Sequence, residues 1–373
     1  MKNIIINGLQ YKKNSSGIGV MIKKLTIEFA RITKYRCKIV LPKDSNDFPK
    51  CANLQQIRIV LNYKDSLMRM FFQSFFLGSV YARNSILVVT DSKVPFFLPK
   101  SCILIPIITD LAVFRMPNVY QISRFLWWRF QYRYLCKKAK KYIAISQFTK
   151  KEMIELLKVN PNDIYVVPCA ASDNYKAITD EKIITSIRRK YKLPEKYLLF
   201  VGNQNPRKNL DRILKAFDLV VEQENIGYDL VIAGEQGWNF SREKCLSYVK
   251  HRERVHFIGY VDDNDMPTLY SEADLFLFPT LYEGFGIPIL EAQMCGTIVI
   301  TSNVSSMPEI GRDSVIYVDP LNVDDIANKI ANILKDKELI KILKVKGLEN
   351  AKRYNWKKSA ELLNKIICEV VPI

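Results

Sequence analysis

Histidine is scarce in this sequence: His251 and His256 are the only two in 373 residues. The first half of the chain therefore has no histidine that could act as a general base. The 8 cysteines form no Cys-x-x-Cys pair and follow no regular spacing. This pattern argues against a zinc cluster and favours a reducing compartment such as the cytoplasm.

Long apolar runs are missing as well. The longest aromatic-rich stretch, residues 70–81, is interrupted by Gln73 and Ser74 and is too short to cross a bilayer. The start of the sequence leads directly into a strand-like run and does not resemble a signal peptide. These absences predict a cytoplasmic protein.

Negative charge is scarce in the first half only. Residues 1–175 contain 28 lysines and arginines against 10 aspartates and glutamates. The difference between these counts equals the net charge of the whole chain, +18. Residues 176–373 are balanced at 28 against 28. A basic half predicts an anionic partner: a phospholipid surface, a diphosphate-linked acceptor or nucleic acid. We favour the first two, because no nucleic-acid-binding motif is recognisable.

Short apolar runs alternate with helical patterns in both halves. The length of the chain and its apolar share of 48% predict two well-filled domains. This alternation is typical of doubly wound α/β domains with parallel sheets. The predicted strands are residues 3–7, 37–41, 57–60, 86–90, 103–108, 142–146, 164–167, 197–201, 230–233, 255–258, 273–278 and 298–301.

Two helical stretches of the first half allow two interpretations each. Residues 67–81, rich in Met and Phe, are interpreted as a core helix, and a helix at a bilayer interface is the alternative. Residues 123–141 form a predicted helix that is either an ordinary amphipathic helix or a surface for membrane or acceptor. Four of its cations are spaced four apart and share one face: Arg129, Arg133, Lys137 and Lys141.

Residues 278–292 carry the most informative pattern of the chain. They follow a buried strand, and Pro288 suits the first turn of a helix. Gly284 and Gly286 allow backbone amides to approach a ligand closely. With the positive end of the helix, these amides form a site for phosphate or hydroxyl groups. The carboxylates of Glu283 and Glu291 can accept hydrogen bonds from sugar or ribose hydroxyls. The alternative is a strand, turn and helix with a structural role only.

The pair Glu283 and Glu291 resembles the Glu-x7-Glu motif of the family 4 retaining glycosyltransferases, which have the GT-B fold. The family's order continues through residues 296–303, 305–309 and 318–320. The resemblance implies two doubly wound Rossmann-like α/β domains facing a central cleft. The acceptor-side domain would be residues 1–175 and the nucleotide-sugar-binding domain residues 176–355. Residues 356–373 would form a helix that crosses back to the first domain.

The resemblance also assigns roles to residues. Arg207 and Lys208 follow a strand at a turn into a helix, and would stabilise the leaving diphosphate. Glu283 would orient the transferred sugar, and Glu291 would bind the ribose. Asp110 either lines the site or caps a turn. The further donor-binding residues would be Gly17, Gly19, Gly202, Gly234, Tyr260, Gly284, Phe285 and Gly286. Taken alone, the loop of Gly17 and Gly19 fits a plain turn better than a phosphate-binding loop, and it lacks the ending of an ATPase P-loop.

Two further features concern catalysis and metal binding. Thr109 stands where many family members carry a histidine. Asp263 and Asp265 match an Asp-x-Asp metal signature, but a predicted helix over residues 266–272 follows directly, so we interpret them as a helix cap. We therefore predict no metal and no cofactor.

The resemblance implies a retaining hexosyltransferase that uses a nucleotide-sugar donor. Its acceptor would be a lipid-diphosphate-linked saccharide in bacterial O-antigen or capsule synthesis. The Ser305 to Glu309 segment resembles that of mannosyl- and rhamnosyltransferases. The enzyme would be peripheral on the inner face of the cytoplasmic membrane, attracted by anionic lipid. Two alternatives are a GT-B protein that binds sugar nucleotides without turnover and a basic nucleic-acid-binding protein.

Overall fold

The computed structural model describes residues 3–12, 17–62, 64, 66–90, 94–224, 227–237 and 241–370. The chain divides into two compact units, which are described separately. The first unit comprises Met1–Cys169 and Asn355–Ile373, and the second comprises Ala170–Tyr354. In the described ranges, no helix combines the length and the apolar character needed to span a bilayer.

The first unit contains a seven-stranded parallel sheet in the order β3-β2-β1-β4-β5-β6-β7. Its strands are β1 (Asn3–Asn7), β2 (Cys37–Leu41), β3 (Leu54–Arg58), β4 (Ser85–Thr90), β5 (Ile103–Ile108), β6 (Tyr142–Ala144) and β7 (Ile164–Val166). Ile4 of β1 is paired with Cys37 on one side and with Ile86 on the other. The strand order reverses at β1 and β4, where α/β sheets bind ligands beyond their carboxyl ends.

Helices connect the strands of the first unit. They are α1 (Ile18–Ile32), α2 (Ser66–Phe75), α3 (Leu77–Tyr81), α4 (Ala112–Arg115), α5 (Ile122–Lys138) and α6 (Gln147–Leu157). α6 begins at Ser146, whose Oγ accepts a hydrogen bond from the backbone N of Thr149 at 2.9 Å. This N-cap satisfies one of the free amides of the first turn.

The second unit contains a six-stranded parallel sheet in the order β10-β9-β8-β11-β12-β13. Its strands are β8 (Tyr197–Val201), β9 (Asp229–Ala233), β10 (Val255–Gly259), β11 (Leu275–Phe278), β12 (Ile298–Ser302) and β13 (Ile316–Val318). Its helices are α7 (Glu181–Tyr191), α8 (Leu210–Glu224), α9 (Arg242–Leu246), α10 (Met266–Glu272), α11 (Ile287–Met294), α12 (Met307–Gly311), α13 (Val323–Lys335) and α14 (Lys337–Lys352).

A buried polar network fixes α11, the helix that carries Glu291. The side-chain amide of Gln293 donates to Ser314 Oγ at 2.7 Å. Asn350 on α14 donates to Gln293 Oε1 at 2.9 Å and to the carbonyl of Ile310 at 2.8 Å. Because such bonds require fixed geometry, they set the position of α11 against its neighbours more narrowly than apolar contact alone.

The last helix, α15 (Trp356–Val370), packs with the first unit. Ser359 Oγ donates to the carbonyl of Pro168 at 2.6 Å, and Tyr165 donates to Glu369 Oε2 at 2.9 Å. The chain therefore leaves the first unit after Cys169 and returns to it at Asn355.

The predicted core helix over residues 67–81 is wrong in two respects. The segment forms two helices, α2 and α3, and their apolar side chains include exposed ones, such as Phe71 at 51% and Val80 at 58%. The polar side chains of Gln73 and Ser74 are buried instead. In α2 the polar residues Arg69, Gln73 and Ser74 share one side, so the apolar pattern indicated the opposite side as the buried one.

Two boundaries also differ from prediction. The strand predicted at residues 57–60 is Leu54–Arg58. The helix predicted to reach residue 141 ends at Lys138, and Lys141 forms an ion pair with Asp163 at 2.8 Å. The predicted basic face is therefore reduced to Arg129, Arg133 and Lys137, which are all exposed.

Candidate functional site

Three strand ends of the second unit meet at glycines. Gly202 follows β8 with φ 146°, and its N–H donates to the carbonyl of Ala233 at 3.0 Å. Gly234 follows β9 with φ 126° and donates to the carbonyl of Gly259 at 2.7 Å. A Cβ at Gly234 would lie 2.2 Å from the Gly202 carbonyl oxygen. Only glycine fits this position, so predicted donor-binding residues Gly202 and Gly234 lie against each other.

The turn that carries Arg207 and Lys208 is a single 3₁₀ turn, Pro206–Lys208, which ends at Asn209. Asn209 is fully buried and has a left-handed φ of 61°. Its side-chain amide donates to the carbonyls of Pro279 at 2.9 Å and Pro320 at 2.6 Å. Asparagine tolerates this conformation, and here it also ties the turn to the loops after β11 and β13. The sequence analysis did not identify this residue.

The backbone of Arg207 organises the loop after β11. Its carbonyl accepts hydrogen bonds from Leu281 N at 2.8 Å and from Thr280 Oγ1 at 2.9 Å. These bonds bring the two loops together at one edge of the sheet. The predicted contact of the Arg207 side chain with a diphosphate stays a prediction.

Lys208 and Glu283 form the centre of the candidate site. Lys208 Nζ lies 2.9 Å from Glu283 Oε1, and their side chains are 13% and 15% exposed. The same ammonium lies 4.5 Å from the ring centroid of Phe278, a cation–π distance. The Lys208 side chain passes over Gly202, where a Cβ would lie 3.5 Å from its Cε. A partly buried cation is thus fixed at the carboxyl ends of β8 and β11, where α/β sheets bind ligands.

Two serines fix the loop that contains Glu283. Ser306 Oγ donates to the carbonyls of Glu283 at 2.9 Å and Phe285 at 3.0 Å. Glu283 N donates to Ser305 Oγ at 3.2 Å. The ring of Phe285 is buried edge-on against Tyr354, with centroids 5.6 Å apart. The side chain of Phe285, predicted to bind the donor, therefore packs against the protein and anchors the loop.

The glycines of this loop precede α11. Gly284 and Gly286 are both buried, and Gly286 is the N-cap residue with φ 103°. A Cβ at Gly286 would lie 2.7 Å from Met307 Cε, so a larger residue would displace that side chain. Pro288 lies in the first turn of α11, as predicted. The positive end of α11 lies at this loop and favours an anion or a polarised hydroxyl.

Glu291 lies one turn into α11, in a surrounding that disfavours its charge. Burial raises the pKa of its carboxyl to about 7. Hydrogen bonds from Tyr175 and Tyr270 and the nearby charge of Lys208 partly oppose this effect. The Tyr270 hydroxyl lies 3.4 Å from Glu291 Oε2. The sequence analysis missed both tyrosines, because no spacing connects them with α11.

Tyr260 follows β10 and is 39% exposed. Burial of its hydroxyl, together with the charge of Asp263, raises its pKa, so it stays neutral. An exposed aromatic ring at the end of a strand could stack on a nucleotide base, as predicted for this residue.

The remaining predicted residues lie in the first unit. Gly17 is exposed, has φ 58° and precedes α1, and Gly19 is buried in the first turn of that helix. Ser15 and Ser16 of the same loop lie outside the described residues. Asp110 Oδ1 accepts a hydrogen bond from Ala112 N at 3.0 Å, and this contact agrees with the predicted turn cap.

The Asp-x-Asp segment does not cap α10 in the predicted way. Asp265 is the N-cap residue, but its side chain makes no cap hydrogen bond. Its Oδ2 instead accepts from Lys190 Nζ at 2.6 Å and from the Tyr191 hydroxyl at 2.8 Å. Over the described ranges, no group of three or more His, Cys, Asp or Glu side chains is arranged to bind a metal ion.

Both histidines are paired with aspartates of the second unit. His251 Nδ1 lies 2.9 Å from Asp218 Oδ1, and His256 Nε2 lies 2.6 Å from Asp229 Oδ2. The first pair joins the segment before β10 to α8, the second joins β10 to β9, and neither includes a residue predicted for the site.

Comparison with solved structures defines the class of fold. Sucrose-phosphate synthase from Thermosynechococcus elongatus matches 99% of this chain and 99% of its own, with a TM-score of 0.79 and 17% identity. Anabaena HepE in complex with UDP and glucose matches 99% of this chain and 100% of its own, with a TM-score of 0.74 and 14% identity. The chain has the GT-B fold, so the predicted fold class is confirmed.

Sequence comparison identifies the family. The family model described as "Glycosyl transferases group 1" matches residues 183–360. Escherichia coli O-antigen chain mannosyltransferase B is 32% identical over 249 residues, which are 66% of this chain and 65% of that protein. The chain thus covers just under two thirds of that relative's length. Residues 183–360 thus match the glycosyl transferases group 1 family, in agreement with the predicted resemblance.

Proposed function

We propose that this protein is a retaining glycosyltransferase that moves a hexose from a nucleotide-sugar donor to a saccharide acceptor. The observation that carries the proposal is the partly buried pair of Lys208 and Glu283, 2.9 Å apart beside a glycine-lined loop. A fixed cation at this position can stabilise a leaving diphosphate. The adjacent carboxylate can accept hydrogen bonds from sugar hydroxyls.

In the proposed reaction, the acceptor hydroxyl oxygen forms the new bond to the anomeric carbon. The bond from that carbon to the diphosphate oxygen breaks on the same face, which retains the configuration. The acceptor proton passes to the leaving diphosphate, so no protein base is required. Lys208 and Arg207 would stabilise the developing negative charge, while Glu283 and Glu291 would orient the sugar and ribose.

The sugar we propose is mannose or a related hexose such as rhamnose. The support is the similarity to the Escherichia coli relative, an O-antigen chain mannosyltransferase. An O-antigen or capsule precursor carried on a lipid diphosphate would be the acceptor. An acceptor of this kind would also account for the basic first unit.

A panel of nucleotide sugars tests the proposed activity. The matching donor should raise the midpoint of thermal unfolding, since a ligand at 100 times its dissociation constant adds about 2.7 kcal/mol. With that donor, the wild-type protein should release nucleoside diphosphate slowly even without acceptor, and Glu283→Gln should abolish this release. Donor binding without any release in the wild type would favour a sugar-nucleotide-binding protein instead.

We further propose that transfer needs no metal ion, because Lys208 and the amides before α11 supply the positive potential at the diphosphate. Activity should persist in excess EDTA. A requirement for Mg²⁺ or Mn²⁺ that disappears in Asp265→Ala would contradict this proposal.

An exposed aromatic patch on the first unit supports a membrane partner. It comprises apolar side chains of α2, α3 and α5 and of the segment before residue 98. The ring of Phe96 joins its parts, with its centroid 5.4 Å from Phe75 on α2 and 6.0 Å from Phe130 on α5. Its most exposed members include Met68, Phe71, Phe76, Phe97, Leu126 and Phe130, each at least 47% exposed.

The charges beside the aromatic patch favour an anionic bilayer as its partner. Arg129, Arg133 and Lys137 project from α5, the helix that also carries Leu126 and Phe130. Exposed aromatic side chains next to cations are typical of segments that lie in the interface of a membrane. We therefore propose that the first unit docks on the leaflet that carries the lipid-linked acceptor.

A further inference from the structure

Two tyrosines converge on Glu291 from different parts of the second unit. Tyr270 lies on α10, and its hydroxyl is 3.4 Å from Glu291 Oε2. Tyr175 lies in the segment that follows the first unit, and its hydroxyl also hydrogen-bonds the Glu291 carboxylate. Both rings are buried, and their centroids are 6.0 Å apart.

The two hydroxyls are donors toward this carboxylate. Burial first, and the charge of Glu291 second, raise the pKa of each tyrosine well above its ordinary value. The phenols therefore keep their protons at every pH at which the protein is folded. A protonated phenol beside a carboxylate donates its hydrogen bond to the ionised form and stabilises that form.

We propose that Tyr175 and Tyr270 are positioning residues that keep the Glu291 carboxylate a hydrogen-bond acceptor for the donor's ribose. The inference rests on the proposed function, in which Glu291 binds that ribose. It adds two residues that do not contact the ligand and affect its binding only through their effect on Glu291. Tyr270 is itself fixed, since Thr297 Oγ1 donates to its carbonyl at 2.5 Å and its ring contacts Phe276 edge-on.

Several other groups around Glu291 also shift the pKa of its carboxyl, in both directions. Burial dominates and raises the carboxyl pKa to about 7, and the negative charge of Asp263 acts in the same direction. Lys208 favours the ionised form, as the tyrosines do. Cys295, on the C-terminal side of the same helix, stays a neutral thiol, because burial and Glu291 raise its pKa to about 12. Loss of one phenol should therefore move the Glu291 pKa above 7.

The test is the pH dependence of nucleotide binding by purified full-length protein. We would titrate wild type with ADP, GDP, UDP and dTDP by calorimetry, and follow the tightest ligand from pH 6 to pH 9. Wild-type affinity should fall about tenfold from pH 8 to pH 6, as a carboxyl of pKa about 7 takes up its proton. In Tyr270→Phe and Tyr175→Phe this fall should begin at higher pH, with a several-fold loss at pH 7 and wild-type affinity near pH 9.

Tyr197→Phe is the matched control. Its hydroxyl is buried and donates to the carbonyl of Leu269 at 2.8 Å, so this variant also loses one buried phenol hydrogen bond. Its pH profile should equal that of wild type. A merely structural role of Tyr175 and Tyr270 would lower affinity by the same factor at every pH, and this result would overturn the inference.

A ligand-free measurement separates this inference from the proposed function. The midpoint of thermal unfolding should fall as the pH rises from 5 to 8, because the buried Glu291 loses its proton, and Tyr270→Phe should extend that fall to higher pH. If wild type binds no nucleoside diphosphate, the proposed function and the ribose role both fail. If it binds one but both Phe variants keep the wild-type profiles, only the positioning role fails.

Discussion

The two units share one architecture and differ in where they place charge and apolar surface. Both contain a parallel sheet flanked by helices. The larger part of the first unit, Met1–Cys169, lies within residues 1–175, which carry the entire net positive charge, and its α2 and α5 expose aromatic side chains. In the second unit, Lys208 pairs with Glu283, Arg188 with Glu272, and Lys190 with Asp265. A surface for a partner and a preorganised polar site are thus built on the same fold.

The charged side chains of the two units therefore act over different distances. Cations such as Arg129 and Arg133 are exposed, so their attraction for an anion is long-ranged and weakened by salt. Lys208 is 13% exposed and fixed by a carboxylate and a ring, so its effect is local and strongly dependent on geometry. Substitutions in the second unit should therefore affect transfer, and substitutions in the first unit should affect membrane binding.

The largest effect should come from Lys208→Ala. Loss of one preorganised charge at a developing anion raises a reaction barrier by about 3–4 kcal/mol, so turnover should fall by about two to three orders of magnitude. The variant should fold, because Lys208 lies outside the hydrophobic core and loses only its ion pair with Glu283 and its contact with the Phe278 ring. The measurement is the initial rate of transfer with saturating donor.

Lys215→Ala is the control for Lys208→Ala. Lys215 is exposed on α8, seven residues further along the chain, with its ammonium 5.1 Å from the ring centroid of Tyr248. It should leave turnover near the wild-type value. If Lys208→Ala also keeps near wild-type turnover, Lys208 has no part in the mechanism.

The next effect concerns the first unit. Changing Arg129, Arg133 and Lys137 together to Gln should weaken binding to anionic vesicles by roughly 100-fold, since each basic residue near such a surface contributes about 1 kcal/mol. Phe71→Ser with Phe130→Ser should weaken it further by removing apolar anchoring. Co-sedimentation with vesicles of acidic and of zwitterionic phospholipid, at low and high salt, measures both effects.

The second unit supplies the matched control. Changing Lys182, Arg189 and Lys192 to Gln removes the same charge from exposed positions on and beside α7. Vesicle binding should then stay near the wild-type level. The membrane proposal is wrong if wild type ignores acidic vesicles at low salt, or if both triple variants lose binding equally.

A smaller effect should follow from Asn209→Ala. Alanine at φ 61° is strained, and the carbonyls of Pro279 and Pro320 lose their buried donor, so we expect a loss of about 2–3 kcal/mol in the free energy of unfolding. Asn209→Gly keeps the backbone conformation and should lose less. Denaturant unfolding of both variants separates the contribution of backbone strain from that of the lost hydrogen bonds. If both variants lose the same free energy of unfolding, backbone strain does not contribute.

Sequence reasoning succeeded where a pattern is local. The strands β1, β2, β5 and β8 have the predicted bounds, because short apolar runs in parallel sheets are buried on both faces. The turn of Lys208 and the loop of Glu283 were each identified from glycines and prolines nearby.

The rest depended on contacts distant in sequence. The sequence could not show that Asn209 reaches Pro320, or that Tyr175 and Tyr270 meet Glu291. It also indicated the wrong buried face for α2, because Gln73 and Ser74 are buried there while Phe71 is exposed. Asp265 was misinterpreted as a helix cap because its partner, Lys190, belongs to a different helix.

The smallest effect we predict is a gain in stability. Burial raises the pKa of the Glu291 carboxyl from its ordinary value of 4.5 to about 7 in the folded state. Between those two values, the folded state keeps a proton that the unfolded state releases. The free energy of unfolding therefore falls as pH rises from about 4.5 to 7, and the deficit persists at higher pH. Glu291→Gln removes this term, so it should stabilise the protein at pH 8, by at most the roughly 3 kcal/mol that a shift from 4.5 to about 7 represents, and leave its stability near pH 4 unchanged. The same variant should bind nucleoside diphosphate more weakly, because the amide replaces a carboxylate acceptor. Glu349→Gln, at an exposed position of α14, should do neither. Thermal unfolding of the three proteins across this pH range measures the effect. If the Glu291→Gln midpoint at pH 8 stays at or below the wild-type value, the buried charge of Glu291 does not destabilise the fold. The candidate site of the second unit would then reduce stability by no measurable amount.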